Sequence, residues 1–348
     1  MRSTAPSRPP RAVIFGVAGT ELLAEERAFF SEVEPLGFIL FQRNCRDADQ
    51  IRRLVSDLRE TVGRPDAPVL IDQEGGRVQR LKPPHWRAAP PAARFGAVFS
   101  VDPDRAIAAA RLNGRLIAQE LSDLGITVNC APVLDVPVPG AHDVIGDRAF
   151  GTDISPVMAL GRAFAEGLRA GGVLPIWKHI PGHGRARVDS HRELPRVDAD
   201  TASLSDTDFT PFREIAANGH SQLGWAMTAH IVYADVDPDR PATLSPTVID
   251  QVIRGAIDFQ GVLVTDDVCM DALTGDFADR AAASLAAGCD IVLHCSGRLE
   301  EMQAVARGTR RVSEPTQLRL ARAAAALPKP SAFDVAGGEA DLERLIAA

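Results

Sequence analysis

VLPIWKHIPGHGRARVDSH, residues 173–191, is an apolar run that ends in a lysine and a histidine and then passes into a glycine-rich polar loop. A run that is apolar at nearly every position and is bounded by turn residues is typical of a parallel strand, which helices cover on one side and a packed core on the other. Pro181, Gly182 and Gly184 exclude a helix for the segment that follows. The stretch therefore predicts a buried strand followed by a loop, with three histidines, a lysine and an aspartate within fourteen residues.

Seven further apolar runs of this kind alternate with segments that have helical spacing. The eight predicted strands are residues 12–17, 37–41, 68–72, 126–132, 173–179, 224–230, 261–266 and 289–295. Their alternation with helices predicts a single (β/α)8 TIM-type barrel, an α/β fold whose catalytic site lies at the C-terminal ends of the strands. We expect the catalytic barrel at residues 12–328, a disordered N-terminal tail at 1–11, and a C-terminal linker with a short helix at 329–348.

Helical spacing is clearest in five of the connecting segments, at residues 47–62, 103–124, 156–170, 246–256 and 276–287. Two of these segments begin with a serine followed by a proline, which is typical of an N-cap and the first helical position. We therefore expect Ser155 and Ser245 to cap their helices.

The composition indicates an ordinary globular protein and excludes several other classes. The net charge is −8 with no long basic run, so the chain has no electrostatic basis for binding nucleic acid. No stretch reaches about 18 consecutive apolar residues, so no membrane span is expected, and the cytoplasm is the predicted location. The five cysteines are scattered and form no CxxC pair, which predicts reduced thiols and no structural zinc site.

Polar side chains stand at the predicted C-terminal ends of five strands, where a barrel builds its site. They are Asp72, Asp135, Lys178 with His179, His230, and Asp266 with Asp267. This set suits a retaining glycoside hydrolase, which needs a carboxylate nucleophile, a proton donor about 5 Å away and groups that bind sugar hydroxyls. Alternation along the strand leaves open whether Asp266 or Asp267 is the nucleophile.

The loop after the fifth strand offers a proton donor. Asp189 and His191 are two residues apart, so in an extended segment their side chains lie on the same side. The carboxylate then orients the imidazole and raises its proton affinity, which gives a pair that exchanges protons near neutral pH.

At these residues the chain resembles glycoside hydrolase family 3, in its bacterial β-N-acetylglucosaminidase branch. The resemblance rests first on KHIPGHG (178–184) and VDSH (188–191), although the common form of the branch has Phe at the position of Ile180. Further blocks are similar to the family's in the same order: DQEGGRVQRL (72–81), APVLDV (131–136), IGDRAF (145–150), MTAHIVY (227–233), RPATLSP (240–246), TDD (265–267) and AGCD (287–290). Each block alone is a weak signal, but together, over roughly residues 12–297, they are specific to the family.

The resemblance implies a retaining β-N-acetylhexosaminidase that removes terminal β-linked N-acetylglucosamine (GlcNAc) from GlcNAc-1,6-anhydro-MurNAc peptide fragments during peptidoglycan recycling. It implies Asp266 as the nucleophile and His191, with Asp189 as its partner, as the acid/base. It implies that the sugar is bound by Asp72, Arg80, Arg148, Lys178 and His179. We expect no cofactor and no metal, and a small muropeptide or amino-sugar substrate as the partner. The sequence does not determine the oligomeric state, for which a monomer is our expectation.

Two positions differ from the common pattern of the family. Trp177 precedes the lysine, and the eighth strand ends in His294 and Cys295. We expect these side chains to reshape a wall of the sugar pocket and so to change specificity rather than chemistry.

Other functions remain alternatives on the sequence. A metal-dependent barrel hydrolase would use His179, His183, His191, His230 and Asp266 as ligands, but the first strand lacks the His-x-His expected at its end. A sugar-binding sensor would lack the catalytic residues, which are present here. A β-glycoside phosphorylase of the same family is a further alternative, because an acid/base without negative charge lets phosphate attack the intermediate.

Overall fold

The eight predicted strands form a closed parallel barrel. The computed structural model describes residues 8–217 and 224–347. The barrel strands are β1 (Arg11–Gly16), β2 (Pro35–Leu40), β3 (Val69–Ile71), β4 (Val128–Asn129), β5 (Leu174–Ile180), β6 (Trp225–Thr228), β7 (Val262–Asp267) and β8 (Ile291–His294). Each strand pairs in parallel with its neighbours in the chain, and β8 pairs with β1 to close the barrel. The predicted (β/α)8 fold is confirmed.

Helices cover the outside of the barrel. They are α1 (Ala24–Val33), α2 (Ala48–Thr61), α3 (Ala92–Phe99), α4 (Pro103–Ser122), α5 (Ile154–Ala170), α6 (Thr201–Asp206), α7 (Thr210–Ala217), α8 (Phe277–Ala287), α9 (Leu299–Gly308), α10 (Glu314–Ala325) and α11 (Val335–Ile346), with a π-helix at Val248–Ala256. Helix α2 shows why they dock: Ile51, Leu54, Val55 and Leu58 are buried and recur every three or four residues, which gives one apolar face.

The predicted helix starts are right in one case and wrong in the other. The Ser245 hydroxyl accepts a hydrogen bond from the Val248 backbone N–H at 3.0 Å and so caps the π-helix. Ser155 is not an N-cap, because α5 already begins at Ile154 after the extended residue Asp153. The backbone N–H groups of a helix's first turn have no partner within the helix, so a proline is tolerated within that turn as well as at its first position.

Three connections at the C-terminal ends of the strands shape the site. Strand β3 runs into a small antiparallel hairpin, Gln73–Gly75 with Val78–Gln79. The connection after β4 contains a 3-10 helix, Gly146–Arg148, and Arg77 of the hairpin pairs with Asp147 in it at 3.0 Å. The long connection after β5 forms a short parallel pair, Arg196–Val197 with Val232–Tyr233. The hairpin and the 3-10 helix thus form one braced wall.

At the N-terminus, the barrel begins one residue before the predicted boundary. Residues 1–7 of the predicted disordered tail lie outside the described residues, and Arg11 is already the first residue of β1. Helix α11 lies in the predicted C-terminal segment and packs against α3 and α4. Among the described residues, no helix combines the length and the apolar character that a membrane crossing requires.

Candidate active site

A cavity of about 300 Å³ lies at the C-terminal ends of the barrel strands. Its walls contain both charged groups and a few apolar side chains, including Val78, Ile145 and Met270. All but one of the predicted site residues line it: Asp72, Arg80, Arg148, Lys178, His179, His191 and Asp266. The exception is Asp189, which does not line the cavity and contacts the Nδ1 atom of His191. The predicted convergence of strand ends therefore holds in the structure.

Five charged side chains form a buried ion network on one side of the cavity. The Lys178 ammonium group lies 2.9 Å from an Asp72 carboxylate oxygen and 2.6 Å from one of Glu74. Arg148 donates two parallel hydrogen bonds to Glu74, each of 2.9 Å, and Arg80 pairs with Asp72 at 3.0 Å. Two anions thus alternate with three cations, which fixes the positions of all five side chains and leaves little rotational freedom.

The side chains of this network remain ionised at neutral pH. Burial alone raises the pKa of the Asp72 and Glu74 carboxyl groups, but Lys178 together with Arg80 or Arg148 lowers each pKa below its ordinary value. Burial alone lowers the pKa of Lys178, but the two carboxylates raise it above its ordinary value. The network therefore presents fixed ionic hydrogen-bonding groups to whatever occupies the cavity.

Replacing Lys178 by Met is expected to impair both binding and stability. It leaves Asp72 and Glu74 facing each other in a buried place, and breaking a buried pair in this way costs about 3 kcal/mol of unfolding free energy. We expect kcat/KM to fall about 100-fold as well, from the loss of a charged hydrogen-bond donor worth about 2.7 kcal/mol. Urea unfolding and steady-state kinetics measure the two effects.

The matched control is Lys82→Met, because Lys82 is an exposed lysine whose ammonium donates a hydrogen bond to Gln42 at 3.0 Å and lies outside the network. The pKa values of Asp72 and Glu74 are lower in the folded protein than in the unfolded chain, where they are roughly 4. The two carboxylates therefore contribute their full stabilisation above about pH 4, and this stabilisation is lost as the pH falls through their folded pKa values. The stability gap between wild type and Lys178→Met should therefore narrow below about pH 4. Unchanged stability with a large kinetic loss would contradict the buried-network account.

The second element of the site is a carboxylate that holds two histidines. Asp135 accepts a hydrogen bond from His179 Nδ1 at 2.7 Å, and its other oxygen accepts from the backbone N–H of His183 at 2.6 Å. Burial raises the pKa of Asp135, but His179 outweighs this and lowers the pKa to about 2. His179 is thereby held by its Nδ1 atom, with its ring at the cavity wall.

Asp266 and Asp267, at the end of β7, differ in their surroundings. The Asp267 oxygen Oδ1 accepts hydrogen bonds from the backbone N–H groups of Cys269 at 3.0 Å and Cys295 at 3.1 Å. Asp266 Oδ1 accepts only from the Asp267 backbone N–H at 2.8 Å, and its Oδ2 has no protein hydrogen-bond partner among the described residues. Asp267 thus braces the ends of β7 and β8, while Asp266 keeps an oxygen available for a ligand.

The pKa values of the two carboxyl groups shift in opposite directions. For Asp266, burial raises the pKa, but His179, His230 and the backbone N–H outweigh it, so the pKa is lowered. For Asp267, burial dominates and the pKa is raised. Asp266 is therefore the better ionised of the two at neutral pH, as a carboxylate nucleophile must be.

The pair Asp189 and His191 forms in the structure as the spacing predicts. Asp189 Oδ1 contacts His191 Nδ1 at 2.7 Å and also accepts from the His191 backbone N–H at 3.0 Å. The His191 ring is the more exposed partner, with 62% of its side chain accessible. Because Nδ1 is held by the carboxylate, Nε2 is the nitrogen that can exchange a proton with a ligand.

Two contributors to the site, Glu74 and His183, are missing from the predicted catalytic and sugar-binding residues. Glu74 bridges Lys178 and Arg148, and His183 contacts the Ser190 hydroxyl at 2.9 Å, which joins the two ends of the loop. Asp135 was recognised at a strand end but without its role as the support of His179. The signal for Glu74 was present, since it lies two residues after Asp72 and alternation puts both side chains on one side.

The expectation for the unusual positions holds only in part. Cys295 lines the cavity, but Trp177 points outward and packs edge-to-face on Phe259 at 6.1 Å between ring centroids. His294 is also directed outward, between Phe15 and Phe277. The prediction that Trp177 and His294 shape the sugar pocket is therefore wrong, because both occupy strand positions that face the helices rather than the barrel interior.

The metal-site alternative finds no support in the geometry. Across residues 8–217 and 224–347, the side chains of His179, His183, His191, His230 and Asp266 do not form a group of three whose ligand atoms lie mutually within 4.8 Å. Instead, all four histidines are held by other partners: His179 by Asp135, His183 by Ser190, His191 by Asp189, and His230 by Thr243 at 2.7 Å and the Asp267 carbonyl at 3.0 Å.

A (β/α)8 barrel with a poised carboxylate, an Asp–His pair and a ring of charged hydrogen-bonding groups is an arrangement suited to glycoside hydrolysis. The family model "Glycosyl hydrolase family 3 N terminal domain" matches residues 18–323. The chain belongs to glycosyl hydrolase family 3.

Individual relatives agree with this assignment. A protein named beta-hexosaminidase from Alkalilimnicola ehrlichii is 38% identical over 312 residues, which cover 89% of this chain and 87% of the relative. The crystal structure of native NagZ from Neisseria gonorrhoeae superposes with a TM-score of 0.86 at 31% identity, covering 99% of this chain and all of the other. A structure of NagZ from Neisseria gonorrhoeae in complex with N-trifluoroacetyl-D-glucosamine also has a TM-score of 0.86, at 32% identity, with the same coverage.

Proposed function

We propose that this protein is a retaining β-N-acetylhexosaminidase that removes terminal β-linked N-acetylglucosamine through a covalent intermediate on Asp266. The observation that carries the proposal is the contrast at the end of β7, where Asp267 is engaged by two backbone N–H groups and Asp266 keeps a free oxygen at the cavity. The relatives named beta-hexosaminidase support the activity.

In the first step, an Asp266 carboxylate oxygen attacks the anomeric carbon of the sugar. The bond from that carbon to the aglycone oxygen breaks, and His191 Nε2 delivers its proton to the leaving oxygen. Asp189 stabilises the protonated ring beforehand and keeps the remaining proton on Nδ1 afterwards. The products of this step are the free aglycone and a glycosyl ester of Asp266.

In the second step, water replaces the carboxylate. The neutral His191 Nε2 accepts a proton from the water as its oxygen attacks the anomeric carbon, and the ester bond to Asp266 breaks. Two inversions at the anomeric carbon give net retention. The enzyme returns to its starting protonation state.

The buried network serves to hold the sugar ring. The proposed sugar-binding residues are four members of the network, whose fixed charges offer strong hydrogen bonds to hydroxyl groups, and His179, which Asp135 holds: Asp72, Arg80, Arg148, Lys178 and His179. Because these side chains are already held by one another, little entropy is lost when the sugar binds. Their rigidity places the anomeric carbon against Asp266.

For the aglycone, we propose the 1,6-anhydro-MurNAc peptide fragments of peptidoglycan recycling, cleaved in the cytoplasm. The support is the resemblance to the bacterial β-N-acetylglucosaminidase branch along the whole barrel. The cavity is lined on the side of the braced wall by Val78 of the hairpin and by Val144 and Ile145, which lead into the 3-10 helix. That wall is where we place the aglycone.

A panel of nitrophenyl β-glycosides tests the substrate class. We expect kcat/KM for the N-acetylglucosaminide to exceed that for the glucoside and the xyloside by at least about 100-fold, since buried polar groups built for one substituent reject analogues that lack it. Equal rates for glucoside and N-acetylglucosaminide would contradict the hexosaminidase assignment. Running the reaction in phosphate buffer separates the phosphorylase alternative, which would release GlcNAc-1-phosphate instead of GlcNAc.

A further inference from the structure

A second group of ligand-type side chains lies just outside the catalytic cavity, behind Asp267. Cys269 follows β7, His294 ends β8, and Glu301 lies in the first turn of α9. Their potential ligand atoms, a sulfur, an imidazole nitrogen and a carboxylate oxygen, all lie within 4.8 Å of one another. Nothing in the proposed hydrolysis uses any of these three side chains.

The imidazole of His294 is buried, yet its Nε2 atom has only distant partners. Its neighbours are Glu301 Oε2 and the Ser296 hydroxyl, each at 3.5 Å, the outer limit for a hydrogen bond. The side chain is completely inaccessible to solvent, and its other ring nitrogen, Nδ1, has no hydrogen-bond partner among the described residues. A buried ring nitrogen that faces a carboxylate and a thiol without a close hydrogen bond has the arrangement of an unfilled ligand.

Burial and the neighbouring Asp267 carboxylate raise the pKa of Cys269 to about 12, so the free side chain is a thiol. Its sulfur also faces the backbone N–H groups of Cys295 and Ser296, which stabilise negative charge on sulfur once a cation has displaced the proton. The Glu301 carboxylate is held in place, since the Ser296 hydroxyl donates to its Oε2 at 2.6 Å while Arg298 pairs with its other oxygen, Oε1. The oxygen that faces His294 is therefore not the one that Arg298 occupies.

We propose that Cys269, His294 and Glu301 form a binding site for a thiophilic divalent cation of the Zn²⁺ class. A sulfur, an imidazole nitrogen and a carboxylate oxygen are the ligand types that Zn²⁺ takes, and three protein ligands leave the fourth position to water or to the Ser296 hydroxyl. In a tetrahedral site the ligand atoms stand about 3.5 Å apart, so a contraction of roughly 1 Å closes the group around the ion.

Binding breaks the S–H bond of Cys269, forms the bond from sulfur to the cation, and releases one proton to solvent. The cluster is only partly closed, because Cys269, Ser296 and Glu301 each retain some solvent exposure. It is distinct from the catalytic cavity, since His294 faces the helix layer against Phe15 and Phe277. The shared boundary is Asp267, whose Oδ1 accepts the Cys269 backbone N–H.

The test is titration of the chelator-treated, reduced full-length protein with Co²⁺ and then with Zn²⁺ against a chromophoric chelator. We expect one equivalent of Co²⁺ to bind with the intense near-ultraviolet absorption of a thiolate–cobalt bond, which does not depend on enzyme activity. Cys269→Ser should abolish this absorption and weaken Zn²⁺ binding at least tenfold. Glu301→Gln should also weaken Zn²⁺ binding at least tenfold and leave a thiolate–cobalt band.

Two matched variants keep the result interpretable. Cys45→Ser removes another partly buried thiol, whose sulfur contacts the Phe41 carbonyl elsewhere, and should leave the absorption unchanged. His191→Asn removes the most exposed histidine of the catalytic cavity and should leave Zn²⁺ affinity unchanged. The proposal is overturned if wild type gives no thiolate band, if the band survives Cys269→Ser, or if His191→Asn and not Cys269→Ser removes Zn²⁺ binding. Circular dichroism of the isosteric Cys269→Ser variant confirms that it is folded.

Discussion

An Asp266→Ala variant is expected to lose about 10⁴-fold or more in kcat on nitrophenyl N-acetylglucosaminide, because the group that forms the covalent intermediate is gone. Stability should change little, since within the described part of the chain Asp266 makes one hydrogen bond, to the neighbouring backbone N–H, and no ion pair. Steady-state kinetics and thermal unfolding of the same preparation measure the two quantities.

Asp267→Asn is the matched control for this substitution. An amide oxygen in place of Oδ1 still accepts the hydrogen bonds from Cys269 and Cys295, so the brace between β7 and β8 is retained. We expect this variant to keep a kcat within about tenfold of wild type, in contrast to the large loss of kcat in Asp266→Ala. If the two losses were reversed, Asp267 would be the nucleophile and the assignment would be wrong.

A His191→Ala variant is expected to lose most activity on substrates whose leaving group must be protonated, and least on substrates whose leaving group departs without a proton. Substrates with an alkoxide-like leaving group should slow about 10³-fold, since general acid catalysis contributes about 10²–10⁴. Glycosylation by dinitrophenyl N-acetylglucosaminide should be close to normal, because that leaving group departs without a proton. The second step still lacks its base, so a burst of dinitrophenol should precede a slow steady state.

Two further observations check the His191 assignment. A small anionic nucleophile such as azide should relieve the slow step, because it attacks the intermediate without a general base. Asp189→Asn should show the same trend more weakly, since the ring stays in place but loses the carboxylate that holds Nδ1. An equal loss for all leaving groups, without a burst, would mean that another residue carries the proton.

The barrel could be predicted because its strands are buried on both faces, so each reads as an apolar run that ends abruptly in polar residues. The meeting of Asp72, Lys178 and Asp266 in one cavity follows from that topology, since parallel strands bring their C-terminal ends together. The inward or outward direction of a side chain was harder to predict. Trp177 was expected in the pocket and lies in the helix layer, because direction depends on how the strand is set in the closed barrel.

Contacts between loops were also beyond the sequence. Arg148 comes from the connection after β4, and Glu74 from the hairpin after β3. Their two parallel hydrogen bonds exist only because those connections fold against each other, through the pairs that Arg77 makes. The distance between Cys269 and Glu301 in the chain likewise hides their closeness in space. Spacing within one element is readable from sequence, whereas spacing between loops requires the structure.

The central claim is that the sugar becomes covalently attached to Asp266, and trapping that ester tests it most directly. A 5-fluoro N-acetylglucosaminyl fluoride slows both steps but keeps a good leaving group, so the glycosyl-enzyme should accumulate. Intact-mass spectrometry should show one added sugar per chain, and peptide mapping should locate it on Asp266. A sugar found on Asp267 or any other residue would contradict the account. So would turnover of the reagent with retention and without any adduct, since that would indicate attack by the substrate's own acetamide oxygen.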